Sequence, residues 1–329
     1  MSLIRHKSFT AFQTQFHRSQ GHLRDPHVRA LAWLLTAPNL LDPLAARWHG
    51  AIAVLDDTDS RAWLAALDAD PAALHALVDA QPTARLGRYA EKLLGFYLQQ
   101  SGRLFAANIQ IRAGANDTIG EFDYLLRDPA GNALIHWEFA TKFYLLESQR
   151  SAPQVECFVG PNLADTLGAK MDKIMDRQLR LSHHPAAREY LPMPVAHAQA
   201  LIKGWLFYRD PTVVLPPVLG VAADHCRGFW CTRGELEAYA ADDEADAAYA
   251  ILPRLRWLAP ARLAAEETLS FDGLQAALLA LWAIDLAPVL IAVVQRHGDI
   301  ALESSRGFVV PDDWRELAAE RVRHTVVSI

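Results

Sequence analysis

A chain of 329 residues exceeds the usual single domain, so two or three packed units are expected; with 51% hydrophobic and 21% charged residues it has ample core, which excludes a disordered protein. Three cysteines, Cys157, Cys226 and Cys231, exclude a disulfide framework, and a formal charge of −6 excludes a global attraction for nucleic acid. No apolar leader opens the chain, and the longest apolar run, Leu274 to Val294, is interrupted by Asp285 and Pro288; that reads as a buried helix followed by a strand in a soluble, cytoplasmic protein with no membrane span.

Residues 1–80 read as a helical N-terminal segment. Asp25-Pro26 supplies an N-cap and a first-turn proline ahead of "HVRALAWLL", and Asp70-Pro71 repeats the device before "AALHALV". A stronger amphipathic helix follows in "ARLGRYAEKLLGFYLQQSG", where Leu86, Tyr89, Ala90, Leu93 and Tyr97 share a face, Glu91 lies one step off it and Gly102 ends the run. Next come "LFAANIQI", "TIGEFDYLL" and "NALIHWEFATKFYL", three strand-like runs separated by turn residues, which suggest an antiparallel meander. A loop through "GPNLADTL" leads to a helix in "AKMDKIMDRQLRLS", and "ALIKGWLFY" has the composition of a strand. Proline-rich Asp210 to Gly220 is the best linker, dividing a core of residues 81–212 from a C-terminal α/β portion of residues 213–329. The fold class is therefore α/β (α+β).

Charge is uneven along the chain. Residues 170–209 hold seven Lys/Arg against three Asp/Glu, whereas Gly234 to Ala250 has six acids and no base. An acidic total is compatible with a basic working face that meets nucleic acid, although both stretches also fit ordinary solvated surface.

The hairpin "GEFDYLLRDPAGNALIHWEFATK" sets acids among large apolar residues. If it folds symmetrically about Pro129 to Asn132, Asp123 lies opposite Glu138, with β-carbons roughly 4.5–5.5 Å apart. Two carboxylates at that spacing repel unless one is protonated or both share a cation, and a divalent metal resolves the conflict. The same register puts Glu121 opposite Ala140, and a turn of different length would break it.

Helix with Glu91, strand with Asp123, strand with Glu138 and a lysine beyond, then helix and strand: this succession resembles the core of the PD-(D/E)XK nuclease superfamily over Arg85 to Tyr208. More broadly, the chain resembles a family of uncharacterised bacterial proteins with the same "GEFDYLL", "HWEFATKFYL" and "RGFVVP" stretches. The superfamily resemblance implies a mixed-sheet, restriction-endonuclease-like core flanked by helices, and a Mg²⁺- or Mn²⁺-dependent phosphodiesterase acting on DNA or RNA. Asp123 and Glu138 would hold the metal, with Glu91 directly or through water. Lys142 would assist the attacking water, and Gln178, with Arg177 or Lys173, would position the phosphate backbone through the 170–209 segment. The superfamily's lysine lies two residues after the glutamate, where this chain has Ala140. Lys142, one strand repeat further, is the nearest lysine on that face, and Lys92 and Lys173 on flanking helices are other substitutes.

Plainer readings stand beside these. Glu91 suits an ion pair with Arg88, Glu138 and Lys142 an exposed pair on a solvated strand, Asp123 a loop acceptor and Gln178 a surface residue. A nuclease fold that has lost turnover and binds nucleic acid or protein is the competing class, and an all-helical scaffold a third. "GPNLADTLGAK" departs from a phosphate loop in its glycine spacing and lacks Ser or Thr after Lys170; His225, Cys226 and Cys231 lack a fourth zinc ligand and read as buried groups.

Overall fold

The computed structural model describes residues 10–56, 60–114, 117–147, 153–240 and 247–327. Asp25 begins the helical part as its side chain dictates: Oδ1 accepts the backbone N–H groups of His27 (2.9 Å) and Val28 (3.0 Å), and Pro26 occupies the first turn. The helix so started, Pro26–Thr36, is buried continuously from Val28 to Leu35, which makes it a core helix, not a surface one. In chain order the helices of this part are α1 (Thr10–Gln20), α2 (Pro26–Thr36), α3 (Ser60–Ala69), α4 (Ala72–Ala80) and α5 (Leu86–Gln100). Leu86, Tyr89, Ala90 and Leu93 of α5 are buried as their spacing requires, and Gly102, at φ 70°, turns the chain out of the helix.

The meander follows as β1 (Leu104–Gly114), β2 (Asp117–Arg127) and β3 (Leu134–Leu146), then the two-residue β4 (Phe158–Val159), α6 (Leu167–Lys173) and β5 (Val195–Tyr208). Beyond these lie β6 (Cys226–Thr232), α7 (Leu236–Ala240), β7 (Ala248–Ile251), β8 (Arg262–Ala264), α8 (Phe271–Trp282), β9 (Val289–His297), β10 (Ile300–Val310) and α9 (Trp314–Val327). The apolar run of Leu274 to Val294 is thus the helix and strand that its Asp and Pro demand. The acids at 242, 243, 244 and 246 lie outside the described residues.

The strands form one ten-stranded mixed sheet in the order β1-β2-β3-β5-β6-β10-β9-β7, with β4 beside β3 and β8 beside β10. Its centre is parallel, β3 to β5 to β6 to β10, and both wings are antiparallel. Helices flank it, so the protein is mixed α/β. The sheet runs unbroken across the proline-rich stretch, because Trp205 to Tyr208 of β5 pair with Cys226 to Phe229 of β6. No helix among the described residues is long and apolar enough to cross a membrane.

Strand β3 divides the two cores. Trp137, Phe139 and Phe143 join the large core built with α2 and α5, while Ala140 and Tyr144 pack with Met171 and Ile174 on the opposite face. Alternation therefore turns Glu138 and Lys142 toward α6. The helix expected through 169–182 is shorter than its pattern: α6 stops at Lys173, a π turn spans Ile174–Gln178, with Leu179 N–H bonded to Ile174 O at 2.9 Å, and a 3₁₀ turn covers Leu181–His183.

Candidate functional site

The symmetric turn produces the expected register. Tyr124 pairs with Trp137, Leu125 with His136, Leu126 with Ile135 and Arg127 with Leu134, so one further step brings Asp123 to Glu138. The ladder ends there. In place of the next backbone bond, the Asp123 carboxylate reaches across and accepts the Phe139 N–H at 2.9 Å. Continued pairing to Glu121 and Ala140 does not occur within the β2–β3 ladder; Glu121 instead faces Gln110 of β1, and its side chain meets Arg88 at 3.4 Å.

Glu138 is 3% exposed, and its Oε2 is buried without a hydrogen-bond partner. Its Oε1 accepts a hydrogen bond from the Gln178 amide, and the Gln178 carbonyl oxygen accepts one from the Lys170 ammonium at 3.1 Å. Lys170 from α6 and Gln178 from the π turn thus converge on one carboxylate. The wide turn helps two residues eight positions apart to meet. Burial, then the charge of Asp123, drives the Glu138 carboxyl up to about 9, and the bond that a protonated Glu138 would donate to Asp123 adds to that rise. Burial also raises Asp123, against the opposing effects of the Phe139 N–H and the bond to Glu138. Lys170 is lowered by burial and by the charge of Lys142, with Glu138 opposing. The pair is starved of positive charge.

Glu91 approaches from α5. It forms an ion pair with Arg88 at 3.0 Å, as the plainer reading of its i,i+3 spacing expects, and Arg88 also reaches Glu121. Burial, followed by the charge of Asp123, lifts Glu91 to about 7. Its backbone oxygen accepts the Tyr124 hydroxyl at 2.5 Å, fixing α5 over β2. Among the described residues, no three His, Cys, Asp or Glu side chains converge as a metal-holding group.

The lysines sort differently from expectation. Lys142 pairs with Asp165 at 3.3 Å beside the Tyr144 ring, and the Tyr144 hydroxyl bonds the same Asp165 oxygen at 3.1 Å. Lys92 donates to the backbone oxygen of Gln81, and Lys173 is exposed at the end of α6, as is Arg177 in the π turn. Lys170, not singled out by spacing, is the lysine tied through Gln178 to Glu138. Its only sequence signal was its place as the first base of the 170–209 segment. A cleft of 310 Å³ opens at the Lys142–Asp165 pair, lined among others by Arg85, Arg254, Thr141 and Asn162, and by none of Asp123, Glu138, Lys170 or Gln178. Gly204, paired with Lys142 across β3 and β5, lets this flank close up: a β-carbon there would sit 2.0 Å from the Lys142 carbonyl oxygen.

His225 bonds the Tyr208 hydroxyl at 2.7 Å, and Cys157, Cys226 and Cys231 are buried free thiols. A family described as a domain of unknown function (DUF1853) matches residues 29–310. No curated protein and no solved structure matches the chain.

Proposed function

The chain belongs to the DUF1853 family, and for it we propose a metal-dependent phosphodiesterase of PD-(D/E)XK type that hydrolyses the backbone of DNA or RNA. The observation that carries this reading is the carboxylate pair at the end of the β2–β3 ladder, with a lysine and an amide closing on one of its members. The donor set fits a hard divalent cation. Two adjoining carboxyl groups, one with a buried oxygen that accepts no hydrogen bond, offer oxygen ligands, and a cation would relieve the burial and repulsion that keep Glu138 protonated, which suits Mg²⁺ or Mn²⁺.

Asp123 and Glu138 would hold the ion, with Glu91 contributing directly or through water. When bound, the cation supplies Lewis-acid stabilisation of the charge that develops on a phosphodiester. The protein's own groups do the rest. The Phe139 N–H fixes the Asp123 carboxylate, and Gln178 holds Glu138 with its amide and Lys170 with its carbonyl. Lys170 then stands where Ala140 leaves the superfamily's lysine place empty, presenting positive charge to the phosphate oxygens. Lys142, Arg85 and Arg254 along that cleft, and the exposed Lys173 and Arg177, support a track for the phosphate backbone.

The test is cleavage of single- and double-stranded DNA and RNA with Mg²⁺ or Mn²⁺ by the wild type, Lys170→Met and an Asp123→Asn, Glu138→Gln double variant, with Mn²⁺ affinity measured in parallel. Metal-dependent cutting by the wild type alone, and loss of Mn²⁺ binding in the double variant, supports the reading. Equal cutting by all three removes it. Ala140 and the Lys142–Asp165 pair favour a second reading, a nuclease-like module that binds nucleic acid without cutting it; salt-dependent binding with no turnover in any metal would select that one.

A further inference from the structure

A second charged cavity, of 180 Å³, lies between the start of α2, the turn after β7 and strand β8. Four arginines line it: Arg24 just before α2, Arg29 one turn into it, Arg256 in the 3₁₀ turn Arg254–Arg256, and Arg262 opening β8. Arg29 forms the floor and is 4% exposed; Arg262 is half-buried, and Arg24 and Arg256 are on the exposed rim. The floor is rigid. Arg29 donates to the backbone oxygens of Gln20 and Leu23 (both 3.3 Å) and of Pro260 (2.9 Å), which aligns a guanidinium that has five donors in all.

The nearby acids are committed elsewhere. Glu267 on the wall accepts the Ala264 N–H at 2.8 Å; Asp68 accepts the Arg24 and Asp25 N–H groups; Asp25 caps α2 and meets His75 at 2.7 Å; Glu303 is chelated by Arg306. Burial, then the charge of Arg262, brings Arg29 down to about 10 against the opposing charges of Glu303 and Asp68, so it remains a cation at neutral pH among the other arginines. Such a cluster is costly without an anion at its centre.

We propose that this cavity binds a phosphate monoester, the terminal phosphate of a small nucleotide or of a nucleic-acid end. Guanidinium groups bond phosphate oxygens in bidentate fashion, and several arranged around one floor suit a dianionic end group better than a passing diester. The volume agrees: it is below the roughly 300 Å³ at which pockets begin to enclose a whole drug-sized ligand, so the phosphate enters and the remainder of the ligand stays outside. The proposal does not rest on the phosphodiesterase reading, whose carboxylates belong to β2 and β3.

Calorimetric titration of the full chain with inorganic phosphate at fixed ionic strength, with acetate as the control anion, tests it. Saturable phosphate binding is expected in the wild type and in Asp123→Asn. At least tenfold weaker binding is expected in Arg24→Ala, Arg256→Ala, a pair of exposed positions, and in Arg262→Gln, each with an unchanged circular dichroism spectrum and melting temperature without phosphate. AMP and a 5′-phosphorylated oligonucleotide, set against its 5′-hydroxyl twin, distinguish the two sources, and binding of either phosphate end supports the site. Phosphate binding no stronger than acetate, or binding that the arginine variants leave intact, overturns it.

Discussion

Two ionic clusters are buried in the same sheet and are built on opposite principles. In β10, Arg306 and Glu303 are both fully buried: the guanidinium bonds both carboxylate oxygens at 2.7 Å, bonds the backbone oxygens of Ala259 (2.7 Å) and Trp257, and lies 4.2 Å from the Trp205 ring centre. The Ala261 N–H completes Glu303 at 2.7 Å. Charge and hydrogen bonds balance inside the cluster. At the end of the β2–β3 ladder, one of two adjoining carboxylates reaches a lysine through an amide, a third acid adds its charge, and one oxygen accepts no hydrogen bond. Both are built on buried carboxylates, but the first cluster is complete and the second awaits something. A closed cluster holds the fold together; an open one stores an electrostatic cost that a ligand relieves.

Removing one partner from the closed cluster should give the largest effect. Arg306→Leu leaves Glu303 buried and unpaired and should cost about 3–5 kcal/mol in urea unfolding; a loss under about 1 kcal/mol would show that the cluster is not the strut described. Acid should act next. Burial lowers His17, His136 and His225 to about 4 each, so the unfolded chain binds more protons than the folded one between about pH 6.5 and pH 4. The histidine part of the stability, full above pH 6.5, should therefore fall as pH drops through that window, by up to about 1.4 kcal/mol per pH unit for each histidine, while Glu138 and Glu91, raised by burial and by Asp123, act in the opposite sense. His136, against Phe122 with neither ring nitrogen bonded, is the cleanest probe: His136→Leu should flatten the fall, measured as unfolding free energy at pH 7, 6 and 5. The smallest effect should come from the open cluster and should have the opposite sign. Glu138→Gln, unable to carry the charge that burial beside Asp123 penalises, should raise stability by about 1 kcal/mol at pH 7 while abolishing Mn²⁺ binding. A destabilised variant would make the two clusters alike.

The sequence carried the open cluster further than the closed one. A turn centred on Pro129 to Asn132 fixes which residues oppose each other, and period-two alternation fixes their face, so the Asp123–Glu138 pairing followed from local rules. Glu91 was legible from helical spacing in its bond to Arg88, whereas its nearness to Asp123 came only with the superfamily resemblance. Lys170 was not, since its place depends on how α6 packs against β3 and on a π turn that no residue pattern announces. The Lys142–Asp165 pair was hidden for a related reason: Asp165 lies in a loop whose path is set by β4 and α6. In β10, "ESSR" reads as an ordinary polar stretch. Only the neighbours at 257–261, far along the chain, turn Glu303 and Arg306 into a core pair, and such distant partners leave no periodic trace.

The unbroken centre of the sheet sets the order in which the protein can be made. Strand β6 reaches its second neighbour only when β10 arrives, and about seventy residues separate the end of β6 from the start of β10. At synthesis rates of about 5–20 residues per second, the β6 edge stays bare for several seconds after it leaves the ribosome. During that interval Phe229, Trp230 and Cys231, later buried, face solvent or a chaperone. A fragment that ends in the proline-rich stretch would keep β5 in the same unprotected condition permanently.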